Sequence, residues 1–150
     1  MSENEQDPHK LYEQKLTEIG KGLGFETTGK DTSVGWLDCV WRLKKSSKFA
    51  KSEDDYIRTY GLPIVAFEVI YSEKAKQLRG SLFNMISAKP SLAVFVFLKR
   101  TRQQDYPNED VDRTERYVQT LCQEVAGLIR TEIWYEDDVD KLYGETFPPK

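Results

Sequence analysis

The sequence predicts an α/β protein, specifically a three-layer α/β/α sandwich with a central mixed β-sheet. Residues 62–71 and 92–98 are apolar at both odd and even positions, which is typical of strands buried on both faces. Amphipathic helical patterns precede, separate and follow these two strands. The length of 150 residues suits one domain with one core, so residues 1–150 are predicted to form a single domain.

The first half of the chain predicts one helix and two strands before the central strand. Residues 8–23 form the helix, because apolar side chains recur there at spacings of four, three and four, and the glycines of 20–25 end it. Strands follow at 25–28 and 35–43. The polar stretch from 44 to 60 is predicted to be a long loop.

The second half of the chain predicts alternating helices and strands. In chain order they are a helix from a Ser72 cap to residue 88, the strand 92–98, a surface loop at 101–111, a helix beginning at Asp112, a strand at 132–135 and a helical turn at 139–143. Asp112 and Glu115 have the spacing of a capping box, which places the start of that helix.

Composition excludes several classes of protein. Hydrophobic residues make up 39% of the chain and charged residues 31%, which is globular, and no apolar run approaches the ~20 residues that span a bilayer. The polar, acidic residues 1–8 do not resemble a signal peptide and are expected to be flexible. Cys39 and Cys122 lie in apolar segments, which favours reduced thiols and a cytoplasmic protein. The net charge of −3 argues against binding to nucleic acid by bulk positive charge.

Acidic residues inside apolar strands are the main candidates for a functional site. Glu68 lies in the middle of LPIVAFEVIYS, and Asp38 lies inside WLDCVW on the preceding strand. A bare carboxylate is costly to bury, so each needs a partner, and a divalent cation between the two acids would satisfy both. Oxygen ligands indicate Mg²⁺ or Mn²⁺. Glu13, at the edge of the apolar face of the first helix, is the candidate third ligand.

The chain resembles the PD-(D/E)XK, or restriction-endonuclease-like, nuclease superfamily. The similar segments are LYEQKL, GWLDCVW, IVAFEVIYS and LAVFVFL. The resemblance implies that Asp38 and Glu68 are the two strand acids of a Mg²⁺ site that hydrolyses phosphodiester bonds in DNA, and that Glu13 is the acid of the helix. The position of the family's lysine carries Ile70, and Lys74 is the nearby lysine that could replace it as a catalytic residue.

Two further features of the sequence concern nucleic acid and histidine chemistry. Arg42, Lys44, Lys45 and Lys48 are clustered and are predicted to contact nucleic acid, although such a cluster is also typical of a solvated hairpin. The single histidine, His9, lies near the start of the chain and is interpreted as a surface residue. That interpretation excludes Ser–His–Asp and Cys–His catalysis and a histidine zinc site.

The sequence leaves a second function open beside the DNA nuclease. Because Ile70 replaces the lysine, the chain could be a catalytically degenerate nuclease-fold module that binds nucleic acid or a protein partner. Small nucleases of this fold commonly pair, so a homodimer is a further expectation, with Tyr56, Tyr60 and Tyr106 as candidate exposed aromatic residues.

Overall fold

The computed structural model describes residues 6–28, 37–43 and 61–150, and all structural statements concern these residues. They form five strands and five helices. In chain order these are α1 (Pro8–Gly22), β1 (Glu26–Thr28), β2 (Cys39–Arg42), β3 (Pro63–Ile70), α2 (Ala75–Ala88), β4 (Leu92–Phe97), α3 (Lys99–Asp105), α4 (Asn108–Glu124), β5 (Thr131–Tyr135) and α5 (Glu136–Thr146).

The strands form one mixed, open sheet in the order β1-β2-β3-β4-β5. β1 and β2 pair antiparallel, as do β2 and β3, whereas β3, β4 and β5 are mutually parallel. β3 is therefore the central strand, and the prediction of an α/β protein with a mixed sheet is confirmed. The helix that connects β3 to β4 is the crossover that parallel neighbours require.

Alternate residues of the central strands pack into two hydrophobic clusters, one on each face of the sheet. Ala66 and Ile70 of β3 pack with apolar residues of α2 and α4. Phe67 and Val69 pack in the other cluster, with apolar residues of α1 and α5. Because both faces are covered, β3 and β4 are apolar at every position except Glu68 and carry no simple alternation.

Helix α1 lies unusually close to the edge of the sheet. Trp41 of β2 donates from Nε1 to the carbonyl oxygen of Leu16 at 2.9 Å, and this bond is buried. Gly20 permits the approach, since a Cβ atom there would overlap the methyl group of Thr27 and lie 2.6 Å from Cδ1 of Trp41. This contact fixes the position of α1, whose N-terminal turns carry His9 and Glu13.

Four sequence predictions about the elements are wrong, and the first two concern the start of α2 and the segment 101–111. Helix α2 begins at Ala75 rather than after a Ser72 cap, because Lys74 keeps an extended backbone (φ −102°, ψ 167°) as the N-cap residue. The predicted surface loop at 101–111 instead contains α3 and the start of α4. Arg102 within it is buried and bonded to Asp110, and such a contact between two elements leaves no periodic signal in the sequence.

The other two wrong predictions concern the capping box and the length of the last helix. Asp112 and Glu115 are inside α4, whose first residue is Asn108. The last helix extends over Glu136–Thr146 rather than a single turn. At the N-terminus, the Asp7 side chain accepts a hydrogen bond of 3.0 Å from the backbone of His9 and caps α1. Of the segment expected to be flexible, residues 1–5 lie outside the described residues.

The structure also bears on the predictions for the cysteines, for membrane-spanning helices and for the exposed tyrosines. Both cysteines are thiols. Within the described ranges, the helices are too short or too polar to cross a membrane. Tyr106 is half-buried, with the Arg102 guanidinium 4.9 Å from its ring centre, so its ring is engaged within the chain. Tyr56 and Tyr60 lie outside the described residues.

We expect Gly20→Ala to lower the free energy of unfolding by about 1–3 kcal/mol, because the added methyl group forces α1 away from Trp41 and Thr27. Urea unfolding followed by tryptophan fluorescence measures the change. The matched control is Gly80→Ala in α2, where a Cβ atom has open space. Removal of a helical glycine there should leave stability unchanged or raise it by about 0.5–1 kcal/mol. Equal effects of the two substitutions would contradict the close contact.

Candidate metal centre

The two acids lie at neighbouring strands, although Asp38 precedes β2 by one residue rather than lying inside the strand as predicted. The antiparallel register pairs Cys39 with Phe67 and Val40 with Ala66, so Asp38 lies just beyond the paired residues and Glu68 follows Phe67 in β3. Asp38 contacts His9 of α1, whereas Glu68 accepts a hydrogen bond from Ser81 of α2. The negative charge of Asp38 nevertheless raises the pKa of Glu68, so the two carboxylates are close enough to interact. Asp38 is fixed there, because its Oδ2 accepts a buried hydrogen bond of 2.8 Å from the backbone N–H of Val69.

Helix α1 brings two more ligand-type side chains to Asp38. His9 and Glu13 are four residues apart and therefore share a face of the helix. Nδ1 of His9 is 3.0 Å from Oε1 of Glu13, and Nε2 is 3.2 Å from Oδ2 of Asp38. One ligand atom of each of these three residues lies within 4.8 Å of the others, so the group could hold a metal ion. We call His9, Glu13 and Asp38 the metal group.

Glu68 lies beside the metal group with half of its carboxylate unsatisfied. Its side chain is 7% exposed, and Ser81 of α2 donates to its Oε2 at 3.1 Å. Its Oε1 is buried and has no hydrogen-bond partner among the described residues. Burial, and then the negative charge of Asp38, raise the pKa of Glu68 well above its ordinary value of 4.5. A proton or a cation at Oε1 would remove this cost.

The metal group itself is held together by opposite charges. Burial alone would lower the pKa of His9, but its contacts with Asp38, Glu13 and Glu73 raise it well above the ordinary 6.5, so the imidazolium persists at neutral pH. Burial alone would raise the pKa of Asp38, but hydrogen bonds with His9, Glu13 and the Val69 backbone lower it. Burial raises the pKa of Glu13, against the effect of His9. His9 therefore supplies positive charge at this point.

A second layer of contacts positions the exposed side of the metal group. Oε1 of Glu73 is 3.3 Å from Nε2 of His9, and its Oε2 accepts from the backbone N–H of Tyr71 at 2.6 Å. Arg102, which is buried, donates to the carbonyl oxygens of Tyr71 at 2.7 Å and Glu73 at 3.3 Å. It also donates twice to Oδ1 of Asp110. The segment between β3 and α2 is thus attached to α4.

Two residues of the site were missed by the sequence analysis. The interpretation of His9 as a surface residue is wrong, because its side chain is only 21% exposed and contacts three carboxylates. Its spacing of four from Glu13 on a predicted helix was the available signal. Glu73 gave no signal, since its position depends on how the segment after β3 turns. His9 also adds nitrogen to a ligand set that was expected to contain oxygen alone.

The remaining predicted site residues lie away from the metal group or outside the described residues. Lys74 is exposed at the N-cap of α2, on the wall of a cavity between α2 and α4. Arg42 is 3% exposed on β2, so its guanidinium is not on the surface where a nucleic-acid backbone would pass. Lys44, Lys45 and Lys48 lie outside the described residues.

Comparison with known proteins adds no family to this geometry. The chain matches no protein-family model, no curated protein and no solved structure.

We expect Glu68→Gln to stabilise the metal-free protein by about 1–2 kcal/mol at about pH 8. Because the folded-state pKa of Glu68 lies above 4.5, the folded protein binds more protons than the unfolded chain above that pH and loses stability as the pH rises. The difference between variant and parent should therefore grow with pH and shrink toward zero below pH 4.5. Urea unfolding in EDTA across this range measures it.

The matched control for this prediction is Glu124→Gln, the same substitution at an exposed position at the end of α4. Its effect should stay within about 0.5 kcal/mol at every pH. A Glu68→Gln variant that is less stable than the parent at high pH would show that the buried carboxylate is satisfied in the metal-free protein.

Proposed function

We propose that the protein is a metal-dependent nuclease that hydrolyses phosphodiester bonds in DNA, built on a restriction-endonuclease-like three-layer sandwich. The observation that supports this is the cluster of Asp38 and Glu13 with His9, which could hold a metal ion, beside the buried Glu68 of β3. Helices on both faces of a mixed sheet support the proposed architecture. The resemblance to the PD-(D/E)XK superfamily implies metal-binding acids at Asp38, Glu68 and Glu13.

The donor atoms of the site fit a divalent cation, and the expected ions are Mg²⁺ or Mn²⁺. Carboxylate oxygens from Glu13 and Asp38 suit both ions. His9 would have to release a proton to bind an ion, and its neutral imidazole would then favour Mn²⁺, since Mg²⁺ takes oxygen ligands almost exclusively. The unpartnered Oε1 of Glu68 also supports a cation beside Asp38. When bound, such an ion would lower the pKa of an attacking water and stabilise charge on the phosphodiester.

The chain's own residues divide the remaining roles. Asp38 is held rigidly by the Val69 N–H and so can orient a ligand without reorganisation. Ile70 is buried in the cluster below α2 and α4, so it can neither orient nor deprotonate a water. Glu73 is 22% exposed at the edge of the metal group and can accept a proton there. Lys74 stays a prediction as a catalytic residue.

With Mn²⁺ or Mg²⁺ we expect the purified protein to nick plasmid DNA and to shorten single-stranded DNA. Asp38→Asn should slow cleavage by about a hundredfold or more, because it removes a charged ligand of the metal group. Gel electrophoresis of the products measures the rate. The control is Asp112→Asn, the same change at an exposed position of α4. Inactivity of the parent with both ions, or equal rates for the two variants, would refute the nuclease.

The buried Ile70 favours a second candidate, a catalytically degenerate nuclease-fold module that binds nucleic acid or a protein partner. Such a module needs no ion, so it should bind its partner in EDTA and keep binding when Asp38 is replaced. The nuclease, in contrast, depends on the metal group for catalysis.

Calorimetric titration with Mn²⁺ separates the two candidates. For the nuclease we expect a dissociation constant roughly in the micromolar to millimolar range, and loss of binding in Asp38→Asn and Glu68→Ala. Asp112→Asn should bind Mn²⁺ like the parent. A parent protein without measurable Mn²⁺ binding would leave the degenerate module as the better explanation.

A further inference from the structure

A cavity of about 310 Å³ lies between α2 and α4, next to the metal group. Its wall includes Glu73 and Lys74 before α2, Arg102 of α3, and Asp110, Arg113 and Tyr117 of α4. Glu73 belongs both to this wall and to the surroundings of His9, from which its Oε1 is 3.3 Å away. One side chain therefore separates the cavity from the metal group.

The acids of the cavity wall are already engaged by other groups. Asp110 accepts two hydrogen bonds from Arg102, at 3.1 and 3.0 Å. Glu73 accepts from the backbone of Tyr71 and contacts His9. Arg102 donates its hydrogen bonds to Asp110 and to two backbone carbonyl oxygens. Its guanidinium therefore forms the floor of the cavity and is not available to contact a ligand.

Two cations of the wall remain available to a ligand. Lys74 and Arg113 are both exposed, and neither side chain forms an ion pair within the described part of the chain. Tyr117 also lines the cavity, and its hydroxyl accepts a hydrogen bond of 2.9 Å from Nε of Arg79, which restrains the side chain. A cavity with two unpaired cations and a fixed aromatic ring suits an anion attached to a planar or sugar group.

We propose that this cavity binds a phosphate group of the nucleic-acid strand, contacted by Lys74 and Arg113, with the adjoining nucleotide against Tyr117. The inference rests on the proposed nuclease function and adds a substrate-binding site to it. A phosphate held here lies one side chain from the metal group, so the site would position the strand for cleavage of a neighbouring phosphodiester. The proposal gives Lys74 a role in binding the nucleic-acid strand.

The test is fluorescence anisotropy in EDTA with a single-stranded oligonucleotide of about ten nucleotides, with and without a terminal phosphate. EDTA removes cleavage, so the measurement reports the cavity independently of the nuclease assay and of Mn²⁺ calorimetry. Lys74→Gln combined with Arg113→Gln should weaken binding at least about tenfold. It should also reduce the slope of log affinity against log salt by about 1, since phosphate contacts set that slope.

The matched control is Lys76→Gln combined with Arg116→Gln, which removes the same charges from exposed positions of α2 and α4 outside the cavity wall. This control should bind like the parent, and Lys74→Arg combined with Arg113→Lys should restore most of the affinity. If the oligonucleotide with a terminal phosphate binds more tightly, the cavity binds the end of a nucleic-acid strand. If the two oligonucleotides bind equally, the cavity binds an internal phosphate. Equal losses in the cavity and control variants, or no loss in either, would overturn the inference.

Discussion

Negative charge buried at one end of two adjacent strands is the constraint on which this structure depends. Asp38, just before β2, lies close enough to Glu68 of β3 to raise its pKa, and Glu13 of α1 lies beside Asp38. Carboxylates gathered out of water repel one another and cannot all stay ionised without compensation. The chain compensates with the His9 imidazolium and the Val69 N–H on Asp38, while one oxygen of Glu68 stays unsatisfied.

This compensation explains why the site depends on parts of the fold that lie some distance from it. His9 reaches Asp38 only because α1 is fixed against the sheet edge by the close contact at Gly20 and the bond from Trp41 to Leu16. Neither contact involves a side chain of the metal group. Buried like charges raise the free energy of the folded state. The site keeps its geometry only because the packing around it holds each side chain in place.

Arg102 plays the same part on the other side of the site. It is buried and bonds the segment between β3 and α2 to Asp110 of α4, which holds Glu73 in position near His9. The same arrangement closes the floor of the cavity that carries Lys74 and Arg113. Arg102 therefore supports both Glu73, at the edge of the metal group, and the wall of the cavity.

The sequence by itself determined the α/β class, the central strand and the burial of the acids Asp38 and Glu68, because burial on both faces and an acid in an apolar segment are visible in local composition. It could not determine the role of His9, the turn that places Glu73 or the helix around Arg102. Those features depend on contacts between residues far apart in the chain, such as the 3.2 Å approach of His9 to Asp38. Only the tertiary structure decides such contacts, since the packing of α1 and α4 against the sheet sets which side chains meet.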